Sequence, residues 1–151
     1  MNENTDFKNT HMPTIQLRRE HLEAMIAHAR EAAPAECCGL VGGLSATQAS
    51  SLYPLRNVTA DPEVRYEAAP EELFAAQRLM RERGEELLAI YHSHPRSSDP
   101  KPSETDIRQA FYPSATYLII GLAGGGPVVK AFNISEREHR WNPVEYEIVD
   151  E

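Results

Sequence analysis

Residues 86–94 read ELLAIYHSH, a near-continuous apolar run that ends in two histidines separated by one residue. Such a run reads as a buried strand. Alternate residues of a strand leave the same face, about 6.5–7 Å apart along the chain. His92 and His94 therefore share a side, where two imidazoles can converge on one ion at Zn–N distances of about 2.0–2.1 Å. A strand tip also opens onto a loop, which can supply a further ligand. The chain has six histidines. His21, His28 and His139 lie among charged residues and are expected to be surface side chains.

The loop that follows reads PRSSDPKPSETD. Pro95, Pro100 and Pro102 each fix φ, which lowers the entropic cost of holding whatever comes next. Ser103-Glu104-Thr105-Asp106, followed by Ile107, Ala110 and Phe111, has the form of a helix start, and a short helix is expected over Ser103–Phe111. Taken alone, the pattern is a cap, with the Ser103 hydroxyl on a backbone N–H near Asp106. Beside two histidines a second reading stays open, because positions i and i+3 of a first turn share a side. Asp106 can then complete a His₂Asp zinc site with a fourth position free for water. Asp99, before a proline, suits local turn hydrogen bonding or support of the site from behind. Zinc with an open position brings the pKa of a bound water to about 7. Hydrolysis also needs a base; no HExxH supplies one, so a carboxylate must come from elsewhere in the chain.

The remaining chain is expected to fold around this strand as one domain, residues 13–151. Apolar Leu22, Met25, Ile26, Ala29 and Ala33 form one helical face within residues 18–33, which Pro34 ends. ECCGLVGG, Glu36 to Gly43, reads as a buried strand and turn. Residues 50–58 form a second strand that Pro54 confines to an edge. Asn57–Pro70 is an irregular connection with a short strand at Val64–Tyr66. Pro70-Glu71-Glu72 opens a second helix, with Leu73, Phe74, Gln77 and Met80 on one side and Gly84 as its cap. TYLIIGLA and VVKAFNI flank a Gly-rich turn as a hairpin, and RWNPVEYEIVD adds a last strand. The class is α/β in the loose sense, or α+β, with a mixed, mainly antiparallel sheet flanked by helices.

Composition bounds the function. The chain has 151 residues, a formal net charge of −8 and a pI near 5.3, a balance that disfavours nucleic acid as partner and favours a basic polypeptide segment. No apolar run approaches the ~20 residues of a membrane span, and the polar start lacks the order of a secretory signal. A cytoplasmic protein is expected, with residues 1–12 a disordered leader or tag remnant and His11-Met12 a cloning junction. Cys37 and Cys38 are adjacent, so they cannot staple distant segments. On a strand they point to opposite faces and read as small core residues. A zinc nucleoside deaminase is excluded because its Pro-Cys-x-x-Cys pattern is absent.

His92-Ser93-His94-Pro95 followed by Ser103 and Asp106 resembles the motif of the JAMM (MPN+) metalloproteases: His-x-His-Pro, a loop, then Ser-x-x-Asp. The loop of eight residues between His94 and Ser103 is one longer than the commonest spacing. PAECCGLVGG looks like the family's early strand, whose glutamate is then Glu36. The resemblance spreads over most of residues 14–149 and implies the JAMM/MPN fold, which is cytidine-deaminase-like. It implies one Zn²⁺ per chain on His92, His94 and Asp106, Glu36 as general base and then acid, and Ser103 as donor to the oxyanion. It also implies hydrolysis of the peptide or isopeptide bond after the C-terminal Gly-Gly of a ubiquitin-like or sulfur-carrier protein, as in the compact prokaryotic members. The segment Asn57–Tyr66 is expected to border the groove for that tail. Other readings are a non-catalytic MPN-type scaffold and a RadC-like domain, whose loop has a similar Asp-Pro-x-Pro-Ser pattern.

Overall fold

The computed structural model describes residues 14–150, so the leader expected at residues 1–12 lies outside the described residues. In chain order the elements are β1 (Ile15–Arg18), α1 (Arg19–Ala32), β2 (Cys38–Gly43), β3 (Ala49–Leu55), α2 (Pro70–Arg83), β4 (Glu86–His94), α3 (Glu104–Arg108), β5 (Thr116–Gly121), β6 (Val128–Ser135), β7 (Arg140–Val144) and β8 (Tyr146–Val149).

Six strands form one sheet in the order β3-β2-β4-β5-β6-β7. All its neighbours are antiparallel except β4 and β5, which are parallel. The class is thus the expected α+β with a mostly antiparallel mixed sheet. Pro54 sits on edge strand β3, where its missing N–H costs no ladder bond. The parallel pair matters most for function. Joining β4 to β5 requires a crossover, and that crossover carries α3 back over the tip of β4, where the histidines lie.

The sheet is buried on both sides. Cys38, Leu40, Ile90, Tyr117 and Ile119 pack on one face with Ala76 and Met80 of α2 and Ile107 of α3. Cys37, Val41, Ala89, Tyr91, Leu118 and Ile120 pack on the other with Met25 and Ala29 of α1. The adjacent cysteines therefore do point into opposite layers. Leu118, Ile119 and Ile120 are fully enclosed, each side chain stabilising the fold by about 1.5–3 kcal/mol relative to exposure.

Several local expectations need correction. His21 is buried, not a surface residue: its Nδ1 accepts the Arg18 N–H at 3.2 Å, closing the start of α1. Burial lowers its pKa and favours the neutral acceptor. His28 is half-buried and lies 2.7 Å through Nδ1 from the Tyr91 hydroxyl. Only His139 of the three is exposed. Phe74 lies on the solvent side of α2, 62% exposed. Helix α3 stops at Arg108, and Phe111 lies beyond it at 68% exposure. Val64–Tyr66 forms no strand; the connection around it has only an isolated bridge, Asn57 to Ala68. The tail forms two strands, and β8 pairs in parallel with the unforeseen β1, Ile15 opposite Tyr146, as a separate two-stranded sheet. Gly84 caps α2 as expected, at φ 72°. Among the described residues no helix is long and apolar enough to cross a membrane.

Gly39 marks a tight approach between β2 and β4. A Cβ there would lie 2.3–2.5 Å from the ring and hydroxyl of the fully buried Tyr91. Gly39→Ala should lower the free energy of unfolding by about 1–3 kcal/mol through overpacking, measured by urea denaturation. An unchanged midpoint would mean that Tyr91 is free to move aside.

Candidate metal and catalytic site

The tip of β4 holds His92 at 1% exposure, with His94 beside it, 16% exposed at its side chain. Their Nε2 atoms are 3.2 Å apart. Asp106 Oδ2 approaches them at 3.1 Å from His92 and 3.0 Å from His94. One strand tip and one helix start thus bring three ligand-type atoms into a nearly equilateral triangle.

The helix start holds the carboxylate in place. Ser103 N–H donates to Asp106 Oδ2 at 2.9 Å, and Asp106 N–H donates to Ser103 Oγ at 3.0 Å. The capping reading is therefore correct, and it is compatible with a second role, because the cap is what aims Oδ2 at the histidines. Ser103 uses its hydroxyl as an acceptor, which leaves the O–H proton available to another group.

The triangle suits a cation. With both Nε2 atoms protonated toward Asp106, two donors face each other across 3.2 Å; with either proton removed, a lone pair faces the carboxylate. A central ion satisfies all three at once, and ligands about 2.0–2.1 Å from a tetrahedral zinc lie about 3.3 Å from one another. Charge tells the same story. Burial would raise the Asp106 pKa, yet the charge and hydrogen bond of His92, with the bonds from His94 and Ser103 N–H, hold it far below the usual carboxylate range. Burial opposes charge on His92, but the Asp106 carboxylate, aided by Glu36, raises its pKa.

Glu36 stands just before β2 at 5% exposure. A carboxylate oxygen lies within 4.8 Å of ligand atoms of both histidines. That is a looser approach than Asp106 makes. Its Oε1 is buried without a hydrogen-bond partner among the described residues. Burial raises the Glu36 pKa, partly offset by His92 and His94 and reinforced by Asp106. The segment is locked to β4 by its neighbour: Cys37 N–H donates to Ser93 Oγ at 2.8 Å, and Ser93 N–H to Cys37 O at 3.2 Å. The residue between the two histidines thus sets the register of the glutamate. Burial pushes the thiol of Cys37 up to about 11 and that of Cys38 up to about 12, so both stay protonated and unreactive at neutral pH.

The loop after His94 lies against the end of β5. Ser97 N–H donates to His94 O at 3.0 Å and Ala123 N–H to Ser97 O at 3.1 Å. Pro100 is fully buried. A Cβ at Gly121 would meet Ser97 O at 2.6 Å, so only glycine admits the loop there. Asp99 stays outside the cluster, half-exposed, paired with Lys130 and, at 3.7 Å, with Lys101.

Two contributors carry no motif. Tyr66 stacks on His92 with centroids 4.7 Å apart and planes at 29°, and Asn57 donates through Nδ2 to Glu36 O at 3.0 Å. An isolated aromatic in the polar stretch 57–67 was the sole signal for Tyr66. It also lines an apolar cavity of about 240 Å³ with Leu40, Leu55, Leu73, Phe111 and Tyr117.

Comparison with known proteins places the chain in a family. Residues 18–142 match the family described as prokaryotic homologs of the JAB domain. The chain is 39% identical over 115 residues to a desampylase of Haloferax volcanii, covering 73% of this chain and 82% of that one. It is 36% identical to a probable TtuB-protein conjugate cleaving protease of Thermus thermophilus, covering 83% and 80%. It is 31% identical to a CysO-cysteine peptidase of Mycobacterium tuberculosis, covering 70% and 72%. Among solved structures, a JAB1/MPN domain protein from Archaeoglobus fulgidus superposes with a TM-score of 0.61 at 20% identity, over 90% of this chain and 98% of that one, a likeness of fold. A chain with this coverage and this arrangement of His92, His94 and Asp106 belongs to the family of prokaryotic JAB-domain homologs.

Proposed function

We propose that the protein is a zinc metallopeptidase that hydrolyses the peptide or isopeptide bond after the C-terminal Gly-Gly of a ubiquitin-like or sulfur-carrier protein. The observation that carries this reading is the triangle of His92 Nε2, His94 Nε2 and Asp106 Oδ2 beside a buried, unpartnered Glu36 carboxylate oxygen. His92, His94 and Asp106 would hold one Zn²⁺. When bound, zinc supplies Lewis acidity and brings a water's pKa toward neutrality. Glu36 stands farther off, as a base acting on that water should. It would accept the water's proton and return it to the leaving amine; burial raises its pKa, which strengthens it as a base and lets it hold the proton between the two transfers. The Ser103 hydroxyl proton, unused by the cap, is donated to the oxyanion, a contribution worth about 3–4 kcal/mol for one such donor.

The relatives' names support the substrate class: one is a probable TtuB-protein conjugate cleaving protease and one a CysO-cysteine peptidase. A tail without side chains lies extended in a narrow groove, and the segment Asn57–Tyr66 borders it, with the apolar cavity at Tyr66 taking a larger side chain upstream of the glycines. Two unpaired, buried thiols suit a reducing compartment such as the cytoplasm. A non-catalytic scaffold needs neither an isolated buried base nor a free hydroxyl proton at the cap.

Glu36→Gln should keep about one zinc per chain while hydrolysis of a carrier-protein fusion falls by roughly 10²–10⁴-fold; equal rates would remove Glu36 as the base, and zinc retained with no hydrolysis by the unaltered chain would favour the scaffold. Metal affinity should also depend on pH in one direction. The proton competes with zinc at the histidines, and His92 holds its proton to higher pH than an isolated histidine does. Zinc binding should therefore strengthen as pH rises through neutrality and fail in acid, as read by chelator competition from pH 5 to 8. A flat profile would exclude histidine ligation.

A further inference from the structure

Glu36 lies outside the strand ladder, since β2 begins its pairing with Cys38 opposite His92. Its main-chain groups are nevertheless both bound, and by one segment. Glu36 N–H donates to Pro62 O at 2.7 Å, and Glu36 O accepts from Asn57 Nδ2 at 3.0 Å. The partners belong to the connection between β3 and α2. That connection is closed at its base by Val58 N–H to Glu67 O at 2.8 Å and Ala69 N–H to Arg56 O at 2.9 Å.

Asn57 is the hub of this closure. Its Oδ1 accepts from Thr59 N–H at 3.2 Å and Glu67 N–H at 3.0 Å. Its Nδ2 donates to Arg65 O at 3.1 Å as well as to Glu36 O. A primary amide has two donors and one carbonyl oxygen with two lone pairs, so the side chain is used to capacity. Two carbonyls on one side and two N–H groups on the other permit only one orientation of the amide. The residue after Arg65 is Tyr66, whose ring lies on His92. One side chain thus joins the peptide of the glutamate to the segment that covers a histidine of the triangle.

From this we infer that Asn57 is a positioning residue for the reaction: it holds Glu36 and Tyr66 as one unit, so that the segment bordering the substrate groove also sets where the base stands. The inference rests on Glu36 being that base. Aspartate at position 57 separates the two halves of the function. It keeps the oxygens that accept from Thr59 and Glu67 but has no donor, and it turns a carboxylate toward the carbonyls of Glu36 and Arg65. Alanine removes both halves. A residue that merely closes a loop would lower thermal stability in both variants and leave turnover intact below the unfolding temperature.

The test pairs amide hydrogen exchange with kinetics on the zinc-loaded full chain, using a carrier protein fused through its Gly-Gly end as probe. In Asn57→Asp, Thr59 and Glu67 amides should stay protected while the Glu36 amide exchanges about tenfold faster or more; in Asn57→Ala all three should accelerate. For Asn57→Asp, kcat should fall roughly 10–100-fold, the scale expected when a reacting group is misplaced by about 1 Å. KM should stay within about twofold, and zinc per chain should be unchanged. Wild-type kcat in Asn57→Asp, or a Glu36 amide as protected as in the unaltered chain, would overturn the proposal. Should Asn57→Asp fail to fold, Asn57→Ser, whose single hydroxyl cannot serve all four partners, is read by the same two criteria. If the unaltered chain cleaves no fusion, the functional reading fails, and the exchange measurements alone still decide whether Asn57 holds Glu36.

Discussion

Two imidazole nitrogens and one carboxylate oxygen held within 3.2 Å of one another cannot all be satisfied by protons alone. That frustration organises the rest of the molecule. It is maintained by the crossover from β4 to β5, which returns α3 to the strand tip, and by the capping pair of Ser103 and Asp106, which fixes the carboxylate before any ligand arrives. It persists because His92 and Asp106 are both buried in the same corner of the sheet, where water cannot relieve the mutual charge. Preorganisation of this kind lowers the cost of gathering ligands around an ion.

The same corner contains two carboxylates with opposite tendencies. Asp106 accepts several hydrogen bonds and is held ionised; Glu36 is buried with one oxygen unpartnered and has its pKa raised. Environments that push two acids apart in this way suit the proposed division of labour, in which Asp106 stays charged and Glu36 exchanges a proton. Ser93 links them. Its two hydrogen bonds to Cys37 tie the segment just after Glu36 to the histidines' strand, so the spacing of Glu36 and the triangle follows from sheet register.

Much of this was legible in the chain. The apolar run ending at His94, the proline-rich loop and the Ser103/Asp106 helix start are local patterns, and each kept its place in the structure. Pro70 and Gly84 bounded α2, and Pro54 assigned β3 to an edge. What escaped depends on partners far along the chain. The four-residue β1 has no periodicity of its own, and its partner β8 lies about 130 residues away. His21 and His28 look like surface histidines until Arg18 N–H and the Tyr91 hydroxyl provide hydrogen-bonding partners for them. Phe74 was placed on the inner face by spacing alone, but α2 buries only Ala76 and Met80. Asn57 and Tyr66 act through an irregular segment, where neither helical nor strand period applies. Their importance lies in what they touch.

X-ray absorption at the zinc edge of the metal-loaded protein tests the central claim most directly. Light-atom ligands at about 2.0–2.1 Å, two of them giving the multiple-scattering signature of imidazole and no sulfur, are what His92, His94 and Asp106 require. A sulfur shell near about 2.3 Å, which Cys37 or Cys38 would give, or fewer than two imidazoles would contradict the account.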